Sequence, residues 1–142
     1  TFSACFGEPF MPMHPGVYAD LLSNKMEEHG ANAWLINTGW SGGAYGVGNR
    51  MKIRYTRAML NAAMDGELDN VQYVVDPRFG FEVPVECPNV PEEILQPRNT
   101  WTDTANFDAT ADKLAAMFNE NFARYEAGVS AEVNAAAPQP LA

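Results

Sequence analysis

Apolar positions recur at helical spacing first between residues 15 and 30. Val17, Tyr18, Leu21, Leu22 and Met26 fall on one face at a 3.6-residue period. Pro15 suits a first helical turn, and Gly30 supplies a stop. Ahead of this helix, positions 1–13 are apolar, with turn residues at Gly7, Pro9 and Pro12. They read as a buried loop or short strand. Residues 31–38, Ala-Asn-Ala-Trp-Leu-Ile-Asn-Thr, read as a strand buried on both sides. A glycine-rich loop follows from Gly39 to Gly48. Basic and apolar residues alternate from Arg50 to Arg54, which predicts an extended stretch. Thr56 is then a candidate N-cap for a helix through Met59, Leu60 and Ala63 to Asp65, with Gly66 as its stop.

The second half is less regular. Residues 71–75 have strand composition, and Phe79 to Pro84 repeats that pattern after an Asp76-Pro77 turn. Prolines at 88, 91 and 97 impose an irregular connection with one helical turn near Glu92–Leu95. The clearest helix is predicted over 107–126. Ala111, Leu114, Phe118, Phe122 and Tyr125 form its apolar stripe, and Asp108, Asp112, Lys113, Glu120 and Arg124 are left for water. Residues 127–142 are Ala/Pro-rich without an aromatic, a composition that predicts disorder. The elements together define a mixed α/β (α+β) chain. Its 142 residues suit one domain, and 46% are apolar, enough for a real core.

Net charge is −9, which argues against nucleic-acid and membrane-surface partners. No run is long and apolar enough to span a bilayer, and no signal peptide is visible. Thr1 in place of an initiator Met suggests a chain cut from a longer one. Cys5 and Cys87 have neither disulfide-framework nor metal-ligand spacing and read as free thiols of a reducing cytoplasm. His14 and His29 have no metal-ligand company. The adjacent pair Glu92-Glu93 diverges on a helix and reads as a solvated face. No nucleophile elbow or triad is present.

The charge is unevenly placed. Between Glu28 and Asp65 there is no acidic residue, and this window holds Arg50, Lys52, Arg54 and Arg57, four of the nine basic residues. The glycine loop lies immediately before them. Backbone amides of such a loop can approach an anion closely, and flanking cations add to the attraction. The run Gly43-Ala-Tyr-Gly-Val-Gly48-Asn49-Arg50 has the glycine frame of a P-loop. It departs where the chemistry resides: Asn49 stands for the phosphate-binding Lys and Arg50 for the magnesium-binding Ser/Thr. From spacing alone the loop is either an anion site or a solvated surface turn. Trp34 and Trp40 are either core or a ligand platform.

Longer runs carry a family resemblance. They are Phe2-Ser-Ala-Cys-Phe-Gly-Glu-Pro-Phe10, His14-Pro15, Asn37-Thr-Gly-Trp-Ser-Gly-Gly43 and Tyr45-Gly-Val-Gly-Asn-Arg-Met51, leading to Tyr55-Thr-Arg57. Cys87-Pro-Asn-Val-Pro91, Ile94-Leu95, Pro97-Arg-Asn-Thr-Trp101, Lys113-Leu-Ala-Ala-Met-Phe118 and Asn121-Phe122 follow in order. Over roughly residues 1–126 the chain resembles the C-terminal portion of ATP-dependent phosphoenolpyruvate carboxykinases.

The resemblance implies the C-terminal part of a P-loop-containing nucleotide-binding domain, incomplete on its own, followed by the tail 127–142. It implies ATP, Mg2+ and Mn2+ as cofactors, with oxaloacetate and phosphoenolpyruvate as further ligands. The family's P-loop, metal ligands and oxaloacetate-binding arginine lie upstream of the matched part, so no catalytic residue or metal ligand maps here. The missing N-terminal part of the same protein becomes a partner, and the isolated chain is expected to be inactive. Arg50, Met51 and Thr56 map to the adenine side of the ATP site. Two other readings stay open on the residues: a stand-alone nucleotide-binding module, and an interaction domain with a basic loop.

Overall fold

A computed structural model describes residues 7–141. Residues 1–6, with Cys5 and the first six positions of the predicted apolar segment, lie outside the described residues. After a 3₁₀ turn at Glu8–Phe10, helix α1 runs over Pro15–His29. Phe10 is 87% exposed, so this end of the segment is not the buried loop expected. Pro15 opens α1, and His14 Nδ1 accepts the Gly16 amide at 3.2 Å. Gly30, at φ 59°, closes it: its amide donates to the Glu27 carbonyl and that of Ala31 to the Met26 carbonyl.

Residues 31–38 do not form a strand. A strand exists only through its hydrogen-bond partners. Among the described residues, no backbone bond ties 32–38 to a neighbouring segment. Trp34 nevertheless packs against the core.

A short antiparallel hairpin follows, β1 (Trp40–Ser41) with β2 (Asn49–Arg50). Helix α2 occupies Ile53–Met64. The extended stretch predicted to Arg54 therefore ends before Ile53, and Thr56 is not the N-cap. Lys52 holds that position with extended backbone and no side-chain cap, and its carbonyl accepts from both the Tyr55 and Thr56 amides. Gly66, at φ 74°, ends the helix as predicted, with the Glu67 amide on the Ala62 carbonyl.

Strands β3 (Tyr73–Val75) and β4 (Glu82–Pro84) form a second antiparallel hairpin. Its turn is held by Asp76, whose Oδ1 accepts the Arg78 and Phe79 amides at 2.9 and 2.8 Å. Helix α3 (Glu92–Leu95) is the one turn expected, with Glu92 and Glu93 exposed. The core gathers Met51, Tyr55, Ala62, Leu68, Cys87, Val90 and Leu95. Cys87 is a free thiol, and burial pushes its pKa up.

Helix α4 spans Thr104–Phe122 and starts earlier than the apolar stripe predicts, because Asp103 caps it by accepting the Asn106 amide at 3.0 Å. Its most buried residues are Ala111 and Ala115, whose small side chains allow close approach of neighbouring elements. Asp108 and Asp112 do not simply face water. Both contact Arg78, one of the most buried charged side chains described. The tail, expected to be disordered, carries helix α5 (Ala131–Ala135), capped by Ser130 Oγ. It then returns along α4: Asn119 Nδ2 donates to the Pro138 carbonyl, Gln139 N to the Arg78 carbonyl, and Leu141 N to Asp112 Oδ1. Backbone amides need acceptors whatever the side-chain composition, and here Asp112 and the hairpin turn supply them. Among the described residues, no helix is long and apolar enough to cross a membrane. The whole is a mixture of helices and two small sheets.

Candidate nucleotide site

The β1–β2 hairpin positions the site. Its loop closes backbone against backbone. A Cβ on Gly48 would lie 2.6 Å from the carbonyl oxygens of Ser41 and Gly43, and one on Gly43 would lie 2.8 Å from the Gly48 nitrogen. No side chain fits at either point. Gly48 and Val47 donate their amides to the Ala44 carbonyl, both at 3.0 Å. The Gly42 amide donates to Thr100 Oγ1 at 3.0 Å, and that hydroxyl donates to the Pro97 carbonyl at 2.7 Å. Three loop amides are thus consumed internally. These bonds tie the loop to itself and to Thr100, and Asn49 stands where a P-loop has its Lys.

Beyond the loop, the Met51 amide donates to the Gly39 carbonyl at 2.8 Å, which fixes the exit of the hairpin. Immediately after it opens a hollow of about 520 Å³, lined by Thr38, Arg50, Met51, Lys52, Ile53 and Thr56. All three residues assigned by resemblance to the adenine side share this wall. Met51, 7% exposed, belongs to the core and cannot move away. Arg50 and Lys52 are exposed, and Thr56 is half-buried in the first turn of α2. That N-terminus has no side-chain cap, so its partial positive charge is not offset.

Among the described residues, Arg50, Lys52, Arg54 and Arg57 have no carboxylate within ion-pair distance. The four cations of the acid-free window thus stay unpaired with carboxylates among the described residues. Arg54 and Arg57 do not line the hollow. Arg54 turns to Tyr55, with its guanidinium 4.7 Å from the ring centroid and Nη2 2.8 Å from the hydroxyl. Trp34 packs with the core, whereas Trp40 remains 37% exposed. Thr38 and Ile53 were missed as site residues, since neither carries a distinctive motif. Thr100 was missed because its role depends on a fold contact 58 residues away. Among the described residues, no group of three or more His, Cys, Asp or Glu is arranged to hold a metal ion.

An apolar floor, cationic flanks and an uncapped helix end thus meet at one hollow of a mixed α/β chain. The family model for phosphoenolpyruvate carboxykinase matches residues 1–93. The chain belongs to this family. It is 58% identical over 138 residues to the phosphoenolpyruvate carboxykinase (ATP) of Flavobacterium johnsoniae, covering 97% of this chain and 26% of that protein. The proteins of the same name from Parvibaculum lavamentivorans and Thermus thermophilus are 57% and 56% identical, over 97% and 98% of this chain and 26% of each relative. The chain thus spans about a quarter of the length of these curated relatives.

Proposed function

We propose that this chain supplies the adenine side of the ATP site in a phosphoenolpyruvate carboxykinase (ATP). The whole enzyme then converts oxaloacetate and ATP to phosphoenolpyruvate, ADP and carbon dioxide, a cytoplasmic step of gluconeogenesis. The observation that carries this reading is that Arg50, Met51 and Thr56 line one hollow. Met51 offers a fixed, polarizable apolar surface to one face of the base. Arg50 offers a planar cation that can stack on it. The Thr56 hydroxyl can donate to or accept from the base edge.

Lys52 and the N-terminus of α2 draw the anionic end of the nucleotide to this side. With Asn49 in place of the P-loop Lys, the main phosphate grip falls to the P-loop of the complete nucleotide-binding domain. Mg2+ and Mn2+ would neutralise charge on the transferring phosphoryl group. The described residues do not fit either ion, since no three or more His, Cys, Asp or Glu among them are grouped to hold one.

Competition binding in the intact carboxykinase carrying this chain tests the base assignment. Arg50→Ala is expected to weaken ATP and leave inorganic tripolyphosphate unchanged. Equal weakening of both ligands would assign Arg50 to the phosphates instead.

A further inference from the structure

We infer that Trp40 is a positioning residue for Arg50, holding its guanidinium between the indole and a bound base. The inference deepens the proposed adenine site and rests on that reading. Arg50 is exposed, and among the described residues neither a carboxylate nor a hydrogen-bond acceptor engages its head group. A free arginine samples many rotamers, and ordering it on binding opposes affinity. Some neighbour must limit that freedom if Arg50 is to stack efficiently.

The hairpin register names the neighbour. Trp40 lies directly opposite Arg50, and Ser41 opposite Asn49. The Met51 amide donates to the Gly39 carbonyl, a ladder bond that flanks Trp40–Arg50, while the Gly39 amide turns to Asn37 Oδ1. Alternation along the ladder makes Trp40–Arg50 the non-hydrogen-bonded pair, the kind in which side chains stand closest and on the same face. The backbone beneath is rigid, since the loop closes at Gly43 and Gly48 and is tied to Thr100. Trp40 is itself oriented by Tyr45, edge-on with ring centroids 5.2 Å apart and planes at 85°. Tyr45 is 85% exposed, so the pair packs at the surface and has no evident part in the core. An exposed indole paired in register with a guanidinium that has no hydrogen-bond or ion-pair partner can take up cation–π stacking, a contact not closed among the described residues.

The test uses the intact carboxykinase with Trp40→Ala, Trp40→Phe, Arg50→Ala and the Trp40→Ala/Arg50→Ala double variant. ATP and tripolyphosphate affinities and tryptophan emission are measured for each. Trp40→Ala is expected to weaken ATP roughly three- to tenfold and leave tripolyphosphate unchanged. Trp40→Phe should restore most of the affinity, and the double variant should be no weaker than Arg50→Ala alone. ATP should change Trp40 emission only when Arg50 is present. Additive losses, or an ATP affinity indifferent to Trp40 while Arg50→Ala still weakens it, would overturn the inference and leave the adenine site standing. No effect of Arg50→Ala would overturn the site reading itself. If Trp40→Ala fails to fold, Trp40→Leu, which keeps bulk without an aromatic face, replaces it. Wild-type affinity in that variant would count against the inference.

Discussion

Arg78 and Asp112, 34 residues apart, meet in a two-point contact: Nε to Oδ1 at 2.6 Å and Nη2 to Oδ2 at 3.2 Å. The pair joins the turn of the β3–β4 hairpin to the middle of α4. Asp108 stands 3.5 Å from Arg78 and also binds Arg98, with Oδ2 to Nη2 at 2.8 Å. The hydrogen bond from Arg78 is the largest influence on Asp112 and holds its pKa below the usual carboxylate value. The bond from Arg98 does the same for Asp108.

These shifts set an acid limit on stability. A carboxylate whose pKa is lowered on folding stabilises the native state fully above its unfolded value. That contribution fades as pH falls through the lower, folded value. Asp112→Asn is expected to lower the melting temperature by several degrees at pH 7 and much less at strongly acid pH. Melting curves of both proteins across the acid range check this. A deficit that does not shrink on acidification would show that Asp112 does not act through its charge.

The tail should matter for the same contact. Its Leu141 and Gln139 amides donate to Asp112 and to the Arg78 carbonyl. Truncation after Gly128 is expected to lower the melting temperature and to speed amide exchange of Phe79 and Gly80 in the turn. Unchanged exchange there would show that the tail does not hold the hairpin.

Gly16 sets two effects against each other. Replacing Gly by Ala in a helix gains at most about 1 kcal/mol of propensity. Here the added Cβ would stand 2.7 Å from the Gly128 carbonyl oxygen, a backbone atom. Gly16→Ala should therefore destabilise despite its propensity gain. A raised melting point would mean that the start of α1 and Gly128 separate easily.

Much of the local structure was legible in the sequence. Pro15 and Gly30 bound α1, Gly66 ends α2, and Asp76-Pro77 turns the second hairpin. Each rests on the conformational limits of one or two residues. What was hidden depends on distant partners. The strand predicted at 31–38 lacks a pairing neighbour among the described residues, so its composition alone cannot produce it. Asp108 and Asp112 looked solvent-facing because the helical period does not reveal Arg78. The order after Gly128 comes from acceptors on α4 and the hairpin turn, which composition does not register. At the site, the three assigned residues came from family motifs, and the acid-free window pointed to the same surface. Thr38 and Thr100 needed the fold.

The hairpin that carries Arg50 depends on glycine at 48. Its close approach to the Ser41 and Gly43 carbonyls leaves no room for a methyl group. Gly48→Ala is expected to splay the loop and weaken ATP binding while the melting temperature falls only modestly, since the core lies elsewhere. Unaltered ATP affinity would separate the loop from the site.

The adenine assignment is tested most directly by steady-state kinetics of the intact enzyme with Arg50→Ala and Thr56→Ala. Loss of a stacked or hydrogen-bonded base contact costs about 1–3 kcal/mol, which raises the apparent constant for ATP by roughly five- to 150-fold. The constant for oxaloacetate should stay near its original value. An ATP constant within about twofold of the parent enzyme, alongside an oxaloacetate constant raised about tenfold, would contradict the assignment.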